Sequence, residues 1–339
     1  MKDRIIGIDL GTTNTLIWIK GNDMVSFNEP TVLAWDKETH EVIEIGYLAH
    51  KLLGKVPENI EVMTPMQYGN VADIEACVRY LDRAFSNINE TKRLRGSKTV
   101  FITPAKMSKV SKTALYIVAK ELGIREVHFI EAPRAAAAGS GIDLFSTKGC
   151  LVVDIGGAKT DIAAMTLGRI INERTIFYGG NAIDERIERF VRRKYQLSIG
   201  PKTSEYIKMK LGTLDENADN SLLEISGKSV VNGLPHTAII STNEITKIIQ
   251  DVFDEIADAV IDTLDSSSPE VAADIVHSGI IICGGGSLLS GVRDYFEKKL
   301  STPIHVSAYP LEASIEGVKQ YYSDFLKEDP YVEKNRFRF

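Results

Sequence analysis

The sequence contains one short pattern twice, at its start and near its middle. An apolar run leads to Asp, an apolar residue and Gly, and then to small or hydroxyl-bearing residues. The first copy occupies residues 5–15 and the second residues 151–161. Another apolar run follows each copy, so each predicts a buried strand that turns through a small-residue hairpin into a second strand. We therefore expect two related halves.

The hairpins suggest a site for an anion. Small residues at a turn let backbone N–H groups approach a negative charge, and hydroxyl groups add donors. Asp9 and Asp154 end the first strand of the two copies, and they would repel a phosphate unless a divalent cation stood between them. Two copies thus suggest a magnesium nucleotide between two half-molecules. One copy alone would fit a plain β-hairpin equally well, because Asp and Gly are ordinary turn residues.

A run of three glycines supports the nucleotide interpretation. Residues 279–283 are predicted to form a buried strand, residues 284–286 are glycine, and a helix is predicted from Ser287 or Leu288. Bare backbone before a helix would let a flat ring or a ribose lie against the chain. A lone run of this kind is usually a tight connection. Here it follows both hairpins in order, which makes it informative.

The remaining pattern predicts an α/β protein of two domains. Helical periodicity covers residues 73–85, 108–122, 182–195 and 243–264, with apolar strands between them. A length of 339 residues is more than one core usually serves. The net charge of −6 argues against a nucleic-acid partner, and the three cysteines lack metal-ligand spacing. We expect a cytosolic protein, because the first strand begins at once and no apolar stretch could cross a bilayer.

Many segments resemble the actin, sugar-kinase and DnaK-type chaperone ATPase superfamily, and most closely the bacterial actins of the MreB family. The segments are residues 6–15, 28–30, 65 with 69–73, 131–137, 154–160, 199–200 with 203–208, 226–228 with 233–235, and 284–289. The resemblance implies an actin-like ATPase fold of two α/β domains, each with a smaller subdomain, and a nucleotide in the interdomain cleft. The implied boundaries are 1–30 with 76–145 for subdomain IA, 31–75 for IB, 146–180 with 242–326 for IIA, 181–241 for IIB, and 327–339 for a flexible tail.

The resemblance also implies the ligands and their residues. ATP is the implied nucleotide, and Asp9 and Asp154 would hold Mg²⁺ through its waters. Glu205 and Lys208 would touch the ribose or the adenine. The residues implied to bind the nucleotide are Gly11, Thr12, Thr13, Asn14, Gly156, Gly157, Ala158, Lys159, Thr160, Gly180, Glu205, Tyr206, Ile207, Lys208, Gly284, Gly285, Gly286, Ser287 and Leu288.

Two departures from the family pattern bear on hydrolysis. Relatives usually carry Glu-Glu-Pro, where the second Glu positions the attacking water, but this chain has Ala132 before Pro133. A methyl group cannot orient water, so we expect weak ATP hydrolysis. The usual Gly-Thr-Thr of the second phosphate loop is replaced by residues 158–160, with Lys159 at its centre. Its ammonium would favour a bound triphosphate as a point charge, or the side chain would extend to solvent.

The family resemblance implies a cytoskeletal protein that polymerises into paired protofilaments for cell shape or motility. The expected partners are further copies of this chain and other MreB copies. An anionic membrane surface is a further expected partner, through the basic segments 92–98 and 334–339; a solvated loop and a frayed tail explain these segments equally well. The alternative is a small-molecule kinase of the same superfamily, which would need a catalytic Asp beyond the two near magnesium. A chaperone-like ATPase module is a second rival.

Overall fold

The computed structural model describes residues 5–88, 94, 96–324 and 333–336. These residues form two compact units. Unit 1 comprises residues 1–145 and 312–339, and unit 2 comprises residues 146–311. No helix in the described part of the chain combines the length and the apolar character needed to cross a bilayer.

The described strands of unit 1 form three sheets, of six, three and two strands. Its strands are β1 Ile5–Leu10, β2 Asn14–Ile19, β3 Phe27–Pro30, β4 Leu33–Asp36, β5 Val42–Ile45, β6 Ile60–Met63, β7 Met66–Gln67, β8 Asn70–Val71, β9 Lys98–Thr103 and β10 Glu126–Glu131. Its helices are α1 Gly46–Leu52, α2 Ile74–Asn87, α3 Lys109–Glu121 and α4 Ala132–Gly139. Helix α10 Ala313–Asp324 and strand β19 Glu333–Arg336 also belong to it.

Unit 2 has a similar content. Its strands are β11 Cys150–Ile155, β12 Thr160–Thr166, β13 Arg169–Ile176, β14 Leu197–Ser198, β15 Leu222–Ser229, β16 Pro235–Ser241, β17 Ile280–Cys283 and β18 Ile304–Val306. Its helices are α5 Gly180–Tyr195, α6 Pro201–Leu211, α7 Thr242–Asp265, α8 Pro269–Ser278 and α9 Val292–Leu300, with a 3₁₀ turn at Gly285–Leu288.

The two units share one sheet topology, which confirms the prediction of two related halves. In unit 1 the strand order is β3-β2-β1-β9-β10, with β19 added at the outer edge. In unit 2 it is β13-β12-β11-β17-β18. In each, the first three strands run antiparallel and the next two run parallel to the first. Ligands of open α/β sheets bind beyond the carboxyl ends of such parallel strands, where the predicted site residues lie.

Each unit has its own hydrophobic core. In unit 1, the apolar faces of β1 and β9 pack with α2 and α3 around the fully buried Tyr80 and Phe101. In unit 2, the long helix α7 covers the sheet with Phe253 and Ile256, both fully buried. Helix α7 begins with a capping box, in which Ser241 and Glu244 satisfy each other's backbone N–H groups. These cores hold the strand ends in fixed positions.

The last helix differs from the predicted boundary. Residues 313–324 were expected with subdomain IIA, but α10 packs on α4 and β1 of unit 1. A Cβ atom at Gly139 would lie 2.7 Å from the backbone nitrogen of Gly317, and one at Gly317 would overlap the carbonyl of Ala135. Close approach of two helices needs such small residues on both. The alanine-rich helix α4 is therefore a packing surface for α10.

The tail also differs in part from the prediction. Residues 333–336 form a strand that pairs antiparallel with β10, with Glu126 opposite Arg336. The open edge of β10 presents unpaired backbone groups, and the tail satisfies them. The predicted flexible tail is thus wrong for residues 333–336, and the rest of it lies outside the described residues. The basic segment 92–98 falls partly outside them too, because 92, 93 and 95 are not described.

Candidate functional site

The hairpin loop of unit 1 is closed by one backbone bond. The N–H of Gly11 donates to the carbonyl of Asn14 at 3.1 Å, and a Cβ atom at Gly11 would lie only 2.6 Å from that oxygen. The Thr12 hydroxyl accepts a hydrogen bond from the N–H of Gly69 at 2.8 Å, while Thr13 is exposed. The predicted loop is therefore present, at the carboxyl end of β1. Asp9 is the last residue but one of that strand and stands opposite Leu16.

The hairpin loop of unit 2 repeats this closure and adds a second anchor. The N–H of Gly156 donates to the carbonyl of Lys159 at 3.0 Å. The carbonyls of Gly156 and Gly157 accept from the N–H groups of Gly180 at 3.0 Å and Asn181 at 2.8 Å, at the start of α5. The loop is thus fixed to a helix N-terminus, a position that favours anions.

Thr160 is placed differently from the prediction. Its side chain is fully buried, and its hydroxyl donates to the carbonyl of Tyr178 at 2.7 Å. The hydroxyl therefore fastens β12 to the segment before α5, and its predicted contact with phosphate is not supported. Ala158 is half-buried.

Lys159 forms an ion pair with Asp161, two residues further along the chain. The lysine side chain is 16% exposed and the aspartate side chain 5% exposed. Asp161 also accepts a hydrogen bond from Thr175 Oγ1 at 2.6 Å. The alternative in which Lys159 extends into solvent is wrong, because Asp161 draws its ammonium back onto the sheet.

The pKa of the Asp154 carboxyl group is raised by its surroundings. Burial raises its pKa to about 6 from an ordinary value of 3.8, and the charge of Asp161 adds to the rise. Lys159 and a hydrogen bond from the Cys283 thiol act in the opposite direction. A carboxyl group with this pKa is easily stabilised as an anion by an added cation. Asp154 is the last residue but one of β11 and faces Asp161 across the hairpin.

The three glycines follow β17 as predicted, but the helix after them starts later. Residues Gly285–Leu288 form a short 3₁₀ turn, and α9 begins only at Val292, so the predicted helix from Ser287 or Leu288 is wrong. Gly284 has φ of +80°, and a Cβ atom there would overlap Asp154 Oδ1. A Cβ atom at Gly286 would overlap Ile155. Both glycines are needed for the turn to lie against the end of β11.

The residues that close this turn divide into an inner and an outer set. The Ser287 hydroxyl donates to the carbonyl of Gly284 at 2.7 Å, and Ser287 is buried. Leu288 is 59% exposed. A Cβ atom added at Gly285 would lie 3.5 Å from Leu311 Cδ2, which is an ordinary van der Waals distance. The surface that a nucleoside could cover is therefore formed by Gly285, Leu288 and Leu311.

Helix α6 carries four of the predicted residues, and they face different ways. Ile207 is fully buried in the core of unit 2, so its predicted contact with a nucleotide is not supported. Tyr206 is 48% exposed. The Lys208 ammonium donates to Asp184 Oδ2 at 2.7 Å and to the carbonyl of Gly180 at 3.1 Å. Glu205 is partly exposed.

Asp184 was missed by sequence reasoning. Burial raises its pKa to about 6, and Lys208 opposes that rise. The residue lies one turn after Gly180 on α5, which places its carboxylate on the same face as the loop anchor. The signal available in the sequence was this four-residue spacing from a glycine pair that precedes an amphipathic helix.

Ala132 occupies the position predicted for it. Strand β10 ends at Glu131 and α4 begins at Ala132, with Pro133 in its first turn. The Glu131 carboxylate accepts a hydrogen bond from Arg134 Nη1 at 3.1 Å, and Arg134 is buried. With Ala at position 132, Glu131 is the one carboxylate at this junction, and the guanidinium group of Arg134 holds it.

Comparison with known proteins identifies the family. The family model described as MreB/Mbl protein matches residues 3–329. This chain belongs to the MreB/Mbl family. The cell shape-determining protein Mbl of Bacillus cereus is 35% identical over 314 residues, which cover 93% of this chain and 94% of that protein. The cell shape-determining protein MreB of Escherichia coli K12 is 33% identical over 317 residues, 92% of this chain and 91% of that protein.

Solved structures agree with this assignment. MreB5 of Spiroplasma citri bound to AMPPNP is similar with a TM-score of 0.91 at 34% identity, over 95% of this MreB/Mbl chain and 97% of that one. The MamK double helical filament subunit has a TM-score of 0.79 at 19% identity, over 95% of this chain and 99% of that one, and shows the fold alone. The two-domain actin-like fold expected from the sequence is confirmed.

Proposed function

We propose that this MreB/Mbl chain is a cytoskeletal filament protein that binds ATP with Mg²⁺, polymerises, and hydrolyses ATP weakly. Curated relatives that match over nine-tenths of the chain are named cell shape-determining proteins. The Spiroplasma citri MreB5 structures hold AMPPNP or ADP. The observation that carries the proposal is the loop of unit 2, fixed through Gly156 and Gly157 to the N-terminus of α5.

The nucleotide-binding groups in unit 2 are proposed as follows. The β11–β12 loop binds phosphate through its backbone and through Lys159. The surface of Gly285 and Leu288 supports the nucleoside, and Lys208 with Glu205 contacts the ribose or the base. Ile207 in the core and Thr160 in the loop anchor do not contact the nucleotide but support the residues that do. The corresponding loop of unit 1, residues 11–14, is proposed to bind phosphate in the same way.

The proposed metal is Mg²⁺, held through its waters by Asp9 and Asp154. Within the described part of the chain, no group of three or more His, Cys, Asp or Glu side chains is gathered for a metal ion. Mg²⁺ usually keeps several waters and binds through one or two carboxylates, so two aspartates are a sufficient contribution from the protein. The metal would supply positive charge beside the phosphates.

Hydrolysis is proposed to be slow for a reason that involves two residues. Ala132 has no group that could orient water, and the neighbouring Glu131 is held by Arg134 at 3.1 Å. Loss of a positioned proton-handling group costs about 10²- to 10⁴-fold in rate. The chain would therefore remain in its ATP-bound state for long periods.

The proposed partners are further copies of this chain, in paired protofilaments, and other MreB copies. Attachment to the inner face of the cell membrane through segments 92–98 and 334–339 is a further proposal. Flotation with vesicles of phosphatidylglycerol tests it, with phosphatidylcholine vesicles as the control. Binding to both equally would contradict an electrostatic mode.

Sedimentation tests the proposed function directly. The chain should pellet with ATP and about equally with AMPPNP, because assembly depends on binding and a ligand shifts an equilibrium only through its differential affinity. Asp154→Ala should weaken nucleotide binding and pelleting together. A variant that lost nucleotide and still pelleted normally would contradict a nucleotide-controlled assembly. The kinase alternative predicts a protein that stays in the supernatant, and the matched relatives named above do not favour it.

A further inference from the structure

The second hairpin carries one more negative charge than the first. In unit 1, the strand-end Asp9 stands opposite Leu16. In unit 2, the equivalent Asp154 stands opposite Asp161. Directly opposed residues of an antiparallel pair lie on the same face with their Cβ atoms about 5 Å apart, and like charges there are destabilising. The second hairpin therefore needs a positive charge that the first does not need.

Lys159 supplies that charge from within the loop. Lys159 occupies the position equivalent to Asn14. The backbone carbonyl of Lys159 accepts the N–H of Gly156, as that of Asn14 accepts the N–H of Gly11. Its ammonium pairs with Asp161, and both side chains are largely buried. One cation thus pairs with Asp161, which stands directly across the hairpin from Asp154.

The ammonium group of Lys159 has hydrogen-bond donors that Asp161 does not use. Lysine presents three N–H donors, and Asp161 is the one hydrogen-bond partner of Lys159 Nζ among the described residues. Asp161 shares its second oxygen with Thr175 at 2.6 Å. Two lysine donors therefore remain for oxygens placed at the loop. Phosphate oxygens at the neighbouring backbone N–H groups would meet them.

We propose that Lys159 is a built-in counter-cation of the phosphate site that takes over part of the role of Mg²⁺. The inference rests on the proposed nucleotide binding and adds its dependence on metal. A divalent ion screens the carboxylates from the phosphates when it is bound. Here a covalently attached ammonium already does so at Asp161, next to Asp154. Binding of ATP or ADP then depends only weakly on free Mg²⁺.

The test measures the affinity of each protein for the fluorescent analogue N-methylanthraniloyl-ATP by fluorescence anisotropy. Each affinity is measured once with excess Mg²⁺ and once with excess EDTA. For the unaltered chain, removal of Mg²⁺ should weaken binding by less than about threefold. Lys159→Thr should bind in Mg²⁺ but lose about 10- to 100-fold in EDTA, the worth of a charge-assisted hydrogen bond. Lys159→Arg should keep the weak metal dependence, because it keeps the charge.

The control is Lys148→Thr, which removes an exposed cation from the same unit and should behave like the unaltered chain. The inference would be overturned if EDTA reduced the affinity of the unaltered chain and of Lys159→Thr by the same large factor. The unaltered chain alone also decides the matter if Lys159→Thr fails to fold, because a loss of tenfold or more on removal of Mg²⁺ contradicts the proposal. Failure to bind the analogue even with Mg²⁺ would instead overturn the proposed function.

Discussion

Lys208 Nζ lies 2.7 Å from Asp184 Oδ2, so a largely buried ion pair joins α6 to α5 beside the second phosphate loop. The same ammonium reaches the carbonyl of Gly180, whose N–H holds the loop. A Cβ atom at Gly180 would lie 3.3 Å from that ammonium. The loop, the helix start and the lysine are therefore one connected arrangement, and disturbing one of them should disturb nucleotide binding.

The pair should act as a unit in binding. Asp184→Asn and Lys208→Met should each weaken ADP binding about tenfold, since each breaks a charge-assisted hydrogen bond. The double variant should lose little more than the worse single variant, because both changes remove the same interaction. Isothermal titration calorimetry measures these losses. Glu185→Gln, at an exposed neighbouring carboxylate, is the control, and additive losses in the double variant would contradict the coupling.

A carboxylate at position 132 should raise hydrolysis. Ala132→Glu returns a group that can orient water, and phosphate release should increase by about tenfold or more. Glu131→Gln should leave the rate of the unaltered chain nearly unchanged, because Arg134 already holds that carboxylate at 3.1 Å. A phosphate-release assay under single-turnover conditions checks both. A marked fall in Glu131→Gln would identify Glu131 as the water-orienting group.

Stability should depend on pH through Asp154. Its pKa is raised from 3.8 to about 6, chiefly by burial, so the folded chain holds this proton more tightly than the unfolded chain. The contribution to the free energy of unfolding is fully present below about pH 4 and is lost as pH rises to about 6. The loss amounts to about 2–3 kcal/mol.

Asp154→Asn should remove this dependence. Without nucleotide, the thermal midpoint of the variant relative to the unaltered chain should rise between pH 4 and pH 7, while nucleotide binding falls. Differential scanning fluorimetry over this range gives the comparison. Asp184 has a pKa raised in the same direction, so the difference between the two proteins is the informative quantity. A constant difference across the range would contradict the assignment to Asp154.

The contact between α4 and α10 should be sensitive to one methyl group. In Gly317→Ala the added Cβ atom would overlap the carbonyl of Ala135, and overpacking of this kind costs about 1–3 kcal/mol. Urea unfolding of the two proteins measures the change. Gly200→Ala is the comparison, because no atom lies within 4 Å of a Cβ atom at that position. Equal effects of the two changes would argue against tight packing at Gly317.

The sequence alone determined the repeated architecture. Alternation of apolar and small residues is a local property, so both hairpins and the strand before the glycines could be predicted from the chain. The family resemblance then located the loops and Ala132 at the junction of β10 and α4. Each of these depends on neighbours in sequence, which is why they could be predicted without the fold.

The tertiary structure decided where side chains point and what they contact. Thr160 and Ile207 belong to predicted binding segments, but strand register and helix rotation turn them into the interior. The Asp184 partner of Lys208 comes from the packing of two helices, and the Thr175 partner of Asp161 comes from cross-strand pairing. Helix α10 returns to unit 1 because small residues there match those of α4. Contacts between distant parts of a chain follow from packing, which sequence periodicity does not encode.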